Sequence, residues 1–441
     1  MLLGTVGLLG AFAVVSAVPG GPMRLAQIGQ LKVAEAAGAP RPPRALPETA
    51  EAFADSVGVV VHLTYSDSGY RDWPQVDRAL QYLGVRNLRE HAPLPANTLI
   101  EHVHAAARAG YRFTFLVFGQ APLADSVAAL ADFHRRYPNA IAAIEGPNEI
   151  NNFPFPYRGQ NGDAAGQRFQ SDLYAAIKAD PELRGIPLYN LTSWPDLAGK
   201  ADVANFHSYA HEGAQARAGL LGDMARQQAV MPGKPVVLTE AGYHNTIAAG
   251  TWEGVDQATS APLILNLLFD AWSAGISSVH LYQLLDAYPD PAGKDMERHF
   301  GLFDIDYRPK VAATALRNLL LALRERAAAG ARLGTAAVSA GPDDLATLQL
   351  SRGDGARIVI AYRRAPLWDT AADKPLTVAP ATVTLTPPEG ARTVTIHDPV
   401  LGTRSERAID GDVLTLPLAA DPLVLAFRGD PVVAAKERDR S

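Results

Sequence analysis

The chain has 441 residues, of which 48% are hydrophobic, and its formal net charge is −6. Because single hydrophobic cores stop growing at roughly 250–300 residues, this length predicts more than one domain. The charges are mixed in sign and form no basic stripe that could follow a phosphate backbone, which argues against a nucleic-acid partner. Cysteine is absent, so disulfides, thiol catalysis and cysteine-ligated metals are excluded.

The first residues are apolar. Residues 1–18 end in small side chains such as Ser16 and Ala17, which is typical of a secretory signal. No Lys or Arg precedes the run, so a membrane anchor or a disordered tail stays open as an alternative. The run is shorter than the ~20 residues that span a bilayer. We therefore expect a signal segment at 1–20, a secreted or periplasmic protein without a membrane-spanning segment after its removal, and an Ala/Pro/Gly-rich linker at 21–50.

From residue 57 onward, short β-branched runs alternate with loops and with segments of helical period. The expected strands are residues 58–63, 85–90, 112–118, 140–149, 187–192, 203–208, 235–240 and 278–283. Eight strand-then-helix units over roughly 270 residues predict a closed (β/α)8 TIM barrel of the α/β class, which we place at 51–328. An open doubly wound sheet is disfavoured, because residues 63–67 offer no Gly-rich phosphate turn after the first strand.

After the barrel, the hydrophobic period changes from helical to alternating. The alternating runs are residues 345–350, 357–362, 376–378, 381–385, 393–397, 413–416 and 423–427. Turn signals separate them, such as Arg-Gly-Asp-Gly at 352–355, which we interpret as a hairpin turn. The pattern predicts a smaller antiparallel β-sandwich domain at 329–432, followed by a charged tail at 433–441.

Two of the expected barrel strands end in a glutamate. Residues 143–150 read Ala-Ile-Glu-Gly-Pro-Asn-Glu-Ile, and residues 236–243 read Val-Val-Leu-Thr-Glu-Ala-Gly-Tyr. Because the C-terminal ends of barrel strands meet on one face, Glu149 and Glu240 are expected to converge. Glycoside hydrolysis needs two such carboxylates, one that donates a proton to the leaving oxygen and one that stays ionised. We expect the neighbouring carboxylate to raise the pKa of Glu149.

These motifs resemble those of the clan A retaining glycoside hydrolases, a (β/α)8 grouping marked by an Asn-Glu pair at strand four and a Glu at strand seven. The resemblance covers residues 57–323, and an appended sandwich is common in that clan. It implies that Glu149 is the acid/base, that Glu240 is the nucleophile and that Asn148 holds the 2-hydroxyl of the substrate. The expected function is hydrolysis of O-glycosidic bonds of an oligo- or polysaccharide by double displacement, with no cofactor and no metal.

Three further positions match the clan pattern, and one departs from it. Arg89 ends strand two, where the clan keeps an arginine near the nucleophile, and a cation there holds Glu240 ionised. His207 and Tyr209 resemble a His-x-Tyr arrangement in which the tyrosine hydroxyl hydrogen-bonds the nucleophile. The clan often has Trp at the end of strand eight as a sugar platform, whereas this chain has Tyr282.

Aromatic faces pack against the C–H faces of sugars, so aromatic residues in the loops above the strands are candidates for substrate stacking. They are Trp73, Trp194, Trp252, Tyr157 and Tyr243, together with Tyr282. Core or lid packing is the alternative for each of them. Trp272 lies in the apolar stripe of a helix and is expected in the core.

Other classes of function stay open at this point. A non-catalytic carbohydrate-binding or matrix protein on a barrel scaffold would bind sugar without either glutamate. A phosphate-handling barrel enzyme is disfavoured, because residues 239–246 and 281–288 form no Gly-rich cradle. A metal enzyme is disfavoured because the acidic stretch 286–295 is interrupted by prolines and has no ligand spacing, so we expect a solvated loop there.

Overall fold

The structure is a computed structural model that describes residues 46, 48–119, 121–153, 155–250 and 252–431. The signal segment expected at 1–20, the tail expected at 433–441 and most of the linker expected at 21–50 lie outside the described residues. Within the described ranges, no helix is long and apolar enough to cross a membrane.

Eight parallel strands form the first sheet. They are β1 (Val57–Val60), β2 (Asn87–His91), β3 (Arg112–Leu116), β4 (Ile141–Glu145), β5 (Leu188–Tyr189), β6 (Ala204–Tyr209), β7 (Val236–Gly242) and β8 (Ile276–Leu281). The order around the sheet is β5-β4-β3-β2-β1-β8-β7-β6. A parallel bridge between Tyr189 and Val203 joins β5 to β6 and completes the ring. The predicted TIM barrel is confirmed.

Helices cover the outside of this barrel. They are α1 (Ala50–Asp55), α2 (Trp73–Leu83), α3 (Ile100–Arg108), α4 (Leu123–Arg136), α5 (Gly162–Ala179), α6 (Arg217–Val230), α7 (Gln257–Ser273) and α8 (Val311–Arg324). The expectation of a helix after every strand is wrong at one place, because β5 passes to β6 through residues 190–203 without one. The Asn190 side chain holds this connection, donating to Leu197 O at 2.8 Å and accepting from Gly199 N at 3.0 Å.

The fourth strand is shorter than expected, and this changes where Glu149 lies. β4 ends at Glu145, and Pro147 follows, which has no N–H to continue a ladder. Glu149 therefore lies in the following loop, with a left-handed φ of 40°. Its backbone N–H donates to Thr192 Oγ1 at 2.9 Å, and Thr192 N donates to Pro147 O at 3.0 Å, so the loop is fixed to the chain after β5.

The C-terminal region consists of antiparallel sheets. Its strands are β9 (Ala337–Ala340), β10 (Leu345–Ser351), β11 (Arg357–Arg363), β12 (Trp368–Asp369), β13 (Lys374–Pro375), β14 (Ala381–Thr386), β15 (Thr393–Asp398), β16 (Thr403–Ala408), β17 (Leu414–Leu418) and β18 (Leu423–Arg428). A five-stranded sheet, β10-β11-β18-β15-β16, and a three-stranded sheet, β17-β14-β9, share a core that includes Val383, Leu416, Val394 and Phe427. The predicted second domain of packed antiparallel sheets is confirmed.

The chain that precedes the barrel is also tied to this region. Thr49 caps α1 and forms a parallel bridge with Ser351, whose N–H donates to Glu48 O at 2.8 Å. Ala50 is fully buried. The last residues of the segment expected as a linker therefore belong to the folded part of the chain.

A buried carboxylate joins the barrel to the five-stranded sheet. Asp270 on α7 is 0% exposed and accepts hydrogen bonds from Tyr362 Oη at 2.8 Å and from Arg364 Nη2 at 2.6 Å. The Tyr362 ring also packs on Phe269, with ring centroids 5.2 Å apart. A buried charge is tolerated only when it is paired in this way.

We expect Asp270→Ala to lower the free energy of unfolding by about 3 kcal/mol or more, because it leaves Arg364 and the Tyr362 hydroxyl without their acceptor. Tyr362→Phe removes the hydrogen bonds of its hydroxyl to Asp270 and from Arg364 but keeps the ion pair between those two residues, so it should cost less, about 2 kcal/mol. Urea unfolding followed by circular dichroism measures both changes. As a control, Asp430→Ala breaks the exposed ion pair with Arg392 and should cost less than about 0.5 kcal/mol. Equal effects of Asp270→Ala and Asp430→Ala would contradict this role for Asp270.

Candidate active site

Arg89 is the centre of a polar network at the C-terminal end of the barrel. It lies on β2, is 3% exposed, and donates from Nε and Nη2 to the two oxygens of Glu145 at 2.7 and 2.8 Å. Its Nη1 donates to Glu240 Oε1 at 2.5 Å, and Nη2 also reaches Asn148 Oδ1 at 2.6 Å. Burial by itself would lower the pKa of Arg89, but the two carboxylates raise it overall. One buried cation thus positions three acceptors.

Glu145 orients this arginine from below. It is 0% exposed and accepts further hydrogen bonds from Asn205 Nδ2 and Thr239 Oγ1, both at 3.1 Å. Burial opposes its ionisation, but Arg89 and its other partners hold the pKa of Glu145 below its ordinary value. The sequence analysis missed this residue, although it is the last residue of the apolar run in 143–150, which is the signal that could have found it.

Glu240 lies within β7, is 8% exposed, and has a donor on each oxygen. Arg89 donates to Oε1, and Tyr209 Oη donates to Oε2 at 2.7 Å. His207 Nδ1 lies 3.6 Å from Oε2. The carboxylate is therefore fixed in orientation between a guanidinium and a phenol.

Glu149 pairs with His207. Glu149 Oε1 lies 2.8 Å from His207 Nδ1, and Oε2 accepts from Asn152 Nδ2 at 3.1 Å. Burial would raise the pKa of Glu149, but the hydrogen bond and the charge of His207, helped by Asn152 and Arg89, hold it below its ordinary value. The expectation of a raised pKa is therefore wrong in the free protein, because an imidazole lies between this carboxylate and Glu240.

The pKa of His207 is shifted in the opposite direction to that of Glu149. Burial would lower the pKa of His207, but the charge of Glu240 and the hydrogen bond to Glu149 raise it overall. The proton that Glu149 and His207 share lies on the imidazole, so the two form an ion pair in the free protein. His207 Nε2 lies 3.2 Å from Thr239 Oγ1, which fixes the ring plane.

The three groups converge on one small space. An oxygen of Glu149, an oxygen of Glu240 and a ring nitrogen of His207 all lie within 4.8 Å of one another. Such a trio could also hold a cation. However, Arg89 and Tyr209 already occupy the two oxygens of Glu240, and Arg89 supplies a positive charge at the site. The arrangement therefore fits proton transfer and nucleophilic attack better than metal binding.

Aromatic side chains form one wall beside Glu240. Tyr282 follows β8, and its ring lies 6.4 Å from the ring of Tyr209 and 5.4 Å from that of Phe300. Trp252 lies 5.6 Å from Tyr209 and stacks on His211 at 4.2 Å. Two of the predicted stacking residues, Tyr282 and Trp252, are thus placed around the tyrosine that contacts Glu240.

A second wall follows β1 and β2. The His62 ring stacks on Tyr65 with centroids 4.6 Å apart and lies 6.4 Å from the ring of His91. Burial lowers the pKa of His62 to about 3 and that of His91 to about 4, so both imidazoles are neutral. Burial likewise raises the pKa of Glu90, whose carboxyl accepts from His91 N, to about 8. The sequence analysis missed these residues, although they stand where β1 and β2 end.

Two other predicted stacking residues are packing residues instead. Tyr243 is 5% exposed, and its hydroxyl donates to Ala214 O at 2.8 Å, so neither face of the ring is open to a sugar. Trp73 begins α2 and packs edge-on against Tyr111 in the outer layer, with ring centroids 6.3 Å apart. Trp272 is buried, as predicted.

Tyr157 and Trp194 lie on neighbouring loops. The hydroxyl of Tyr157 donates to Asp172 at 3.1 Å, and its ring packs edge-on against Phe169 at 5.0 Å, so one side of this residue is used in packing. Trp194 is 51% exposed, and the guanidinium of Arg226 lies 4.2 Å from its ring centre. Within the described residues, the ring contacts of Tyr209 and Tyr282 beside Glu240 do not include either of these rings.

The long segment after β8, residues 282–310, packs beside the site through Tyr282 and Phe300, whose rings contact Tyr209. Lys310 is 5% exposed, and its Nζ donates to Asp286 Oδ1 at 2.9 Å and to His299 O at 3.2 Å. Asp286, the first residue of the acidic stretch 286–295, is therefore a buried anchor and not part of a solvated loop. This anchor positions the short helical turn Met296–Arg298.

Glu297, on that turn, is a third carboxylate at the site. Tyr282 Oη donates to its Oε2 at 3.4 Å. Partial burial comes first among the causes that raise the pKa of Glu297 to about 7, and the charges of Glu240 and Glu149 come next. The side chain is exposed to solvent, and through Tyr282 it lies beside the aromatic wall next to Glu240. No motif in the sequence marked it.

No protein-family model and no curated protein matches the sequence. Solved structures do. A family 39 glycoside hydrolase from the gut symbiont Bacteroides cellulosilyticus WH2 has a TM-score of 0.58 and 15% identity, over 87% of this chain and 83% of that one. A monomeric β-xylosidase from Caulobacter crescentus CB15 has a TM-score of 0.56 and 15% identity, over 89% and 98%. A 4-O-α-L-rhamnosyl-β-D-glucuronidase from Fusarium oxysporum 12S has a TM-score of 0.54 and 13% identity, over 88% of this chain and 99% of that one.

At this level of identity the likeness is one of fold. The protein therefore shares the barrel and C-terminal sheet fold of the family 39 glycoside hydrolases, in agreement with the predicted resemblance to clan A.

Proposed function

We propose that the protein is a retaining glycoside hydrolase in which Glu240 is the nucleophile and Glu149 the acid/base. The observation that carries the proposal is the approach of the two carboxylates, with an oxygen of each inside the same 4.8 Å cluster. Retaining enzymes hold these groups about 5–5.5 Å apart, whereas inverting enzymes need about 6.5–9.5 Å to admit a water. The short separation favours double displacement through a covalent glycosyl-enzyme.

In the first step, an oxygen of Glu240 attacks the anomeric carbon. Arg89 and Tyr209 orient this carboxylate through the contacts at 2.5 and 2.7 Å. An ester bond forms as the bond to the leaving oxygen breaks, and Glu149 gives that oxygen its proton. The side chain of Glu149 is 27% exposed and that of Glu240 is 10% exposed, which suits a proton donor on the solvent side and a nucleophile deeper in the barrel.

His207 supplies the proton that Glu149 donates. The proton passes from Nδ1 to Glu149 Oε1 along their 2.8 Å contact as the leaving oxygen approaches. In the second step, a water attacks the anomeric carbon and gives a proton to Glu149, and the ester to Glu240 breaks. The charge of Glu240 is neutralised while the ester exists, which removes the first of the causes that raise the pKa of His207.

The substrate is proposed to be an oligo- or polysaccharide outside the cytoplasm. Asn148 accepts from Arg89 through Oδ1, which turns its amide NH2 away from the arginine and toward a sugar 2-hydroxyl. The faces of Tyr282 and Trp252 border the space above Glu240. The signal segment expected at 1–20 supports an extracellular or periplasmic location, and the similar β-xylosidase and β-D-glucuronidase structures support a β-linked substrate.

We expect Glu240→Gln to lower kcat by at least about 10⁴-fold, because an amide cannot form the glycosyl ester. Glu149→Ala should lower kcat about 10²–10⁴-fold for substrates with poor leaving groups. It should lower kcat much less for a dinitrophenyl glycoside, whose leaving group needs no protonation. Steady-state hydrolysis of aryl glycosides measures both. Glu406→Gln, on the exposed strand β16, is the matched control and should behave as wild type. Wild-type rates for both active-site variants would reject Glu240 and Glu149 as the nucleophile and the acid/base.

A mechanism-based label tests the covalent step. A dinitrophenyl 2-deoxy-2-fluoroglycoside should add one fluoroglycosyl mass to the protein, and peptide mass spectrometry should locate it on Glu240, because fluorine slows the second step more than the first. The Glu240→Gln variant should stay unlabelled. Label on Glu149, or a product of inverted configuration by NMR, would reject the assignment.

The pair of Glu149 and His207 predicts a specific pH dependence. Activity needs one proton on the pair and is lost as pH rises through its upper pKa, which the raised pKa of His207 sets above the ordinary value for histidine. In His207→Ala the proton can reside only on Glu149, so the basic limb of kcat/KM should move to lower pH, with kcat falling about 10-fold or more. His134→Ala, on the outer helix α4, should leave the profile unchanged. An unmoved basic limb in His207→Ala would show that His207 holds no catalytic proton.

A further inference from the structure

Glu297 contacts Tyr282, whose ring lies beside the tyrosine that hydrogen-bonds Glu240, but Glu297 has no part in the double displacement. It stands on the turn Met296–Arg298 of the loop that Lys310 and Asp286 anchor, so its position is fixed by a buried ion pair. Its contact partner is Tyr282 Oη at 3.4 Å, and Tyr282 occupies the strand-eight position where the clan often has Trp. A carboxylate and a phenol therefore border the space above Glu240, where a sugar ring would lie.

The cations near this space are already engaged. Arg89 uses Nε, Nη1 and Nη2 on Glu145, Glu240 and Asn148. His207 lies between Glu149 and Glu240, at 2.8 and 3.6 Å.

The neighbouring basic groups offer no charge to a ligand either. His62 and His91 are neutral because burial lowers their pKa values to about 3 and 4. Arg298, the next residue after Glu297, donates to Asp295 Oδ2 at 2.7 Å and also to Pro289 O. Among the groups that the structure describes around the site, these basic side chains already have partners or are uncharged.

Glu297 itself reports the sign of the electrostatic potential. The charges of Glu240 and Glu149 make its ionisation harder and contribute to a pKa of about 7. A carboxylate on a sugar bound above Glu240 would enter the same negative potential. Like charges brought together in a partly desolvated site oppose binding, whereas sugar hydroxyls can donate to Glu297.

We infer that the sugar held above Glu240 is uncharged, a neutral pyranoside rather than a uronic acid, and that Glu297 with Tyr282 is the specificity-determining pair that accepts its hydroxyls and rejects a carboxylate. This inference rests on the proposed hydrolase function and names its substrate class. The inference also assigns a role to Tyr282, which stands where the clan often has a tryptophan. Its phenol donates a hydrogen bond to Glu297 and so positions the carboxylate that accepts from the sugar hydroxyls.

Matched pairs of aryl glycosides test the inference, since a glucoside and a glucuronide, or a galactoside and a galacturonide, differ only at the sixth carbon. We expect kcat/KM for the neutral member of any hydrolysed pair to exceed that for the uronide by about 100-fold or more. Glu297→Gln should lower kcat/KM for the neutral member by about 10- to 100-fold and should reduce the ratio between the two members. Glu406→Gln should leave both values and the ratio unchanged.

Binding supplies a readout that needs no turnover. Calorimetry with a neutral iminosugar and its uronic-acid counterpart should show the same preference in wild type and a weaker one in Glu297→Gln. A uronide hydrolysed or bound within tenfold of its neutral partner would overturn the inference while leaving the hydrolase intact. If Glu297→Gln lowered kcat/KM equally for the neutral glycoside and for its uronide, the inference would also be overturned, because that result would indicate a structural role. Binding preference without any hydrolysis would instead reject the proposed function.

Discussion

The buried guanidinium of Arg89 is the interaction on which the rest of the site depends. It lies on β2 and reaches carboxylates from β4 and β7, so three strands of the barrel are held in register by one cation. Glu145 accepts two hydrogen bonds from it and Glu240 accepts one, so Glu240 is paired with the cation through a single oxygen. Removing a partner from such a buried cluster is costly, because the charges left behind have no water to solvate them.

The same network distributes protons in a way that two carboxylates alone would not. Two facing carboxylates would place the proton on one of them, but His207 stands between Glu149 and Glu240 and carries it instead. The pair of Glu149 and His207 thus behaves as one titrating unit, and the charge of Glu240 tunes it. Formation of the ester at Glu240 changes that charge, so the proposed covalent step and the proton's position are linked.

Rigid supports surround these groups. Thr192 ties the loop that carries Glu149 to the chain after β5, and the ion pair of Lys310 with Asp286 anchors the loop that carries Glu297. Asp270 fastens the five-stranded sheet to the barrel helix α7. Polar contacts thus hold both loops against the barrel, and fixed positions of this kind are what a near-attack geometry requires.

The sequence by itself determined the barrel, the appended sheets and the pair of Glu149 and Glu240, because alternating apolar runs and glutamates at strand ends depend only on local periodicity. It misplaced the end of β4 by four residues, since the effect of Pro147 on the ladder depends on the neighbouring strand. Only the tertiary structure decided the contacts of Glu145 and Glu297, the pairing of His207 with Glu149, and the burial of Tyr243. Those depend on distances and desolvation between residues far apart in the chain, and no local pattern encodes either quantity.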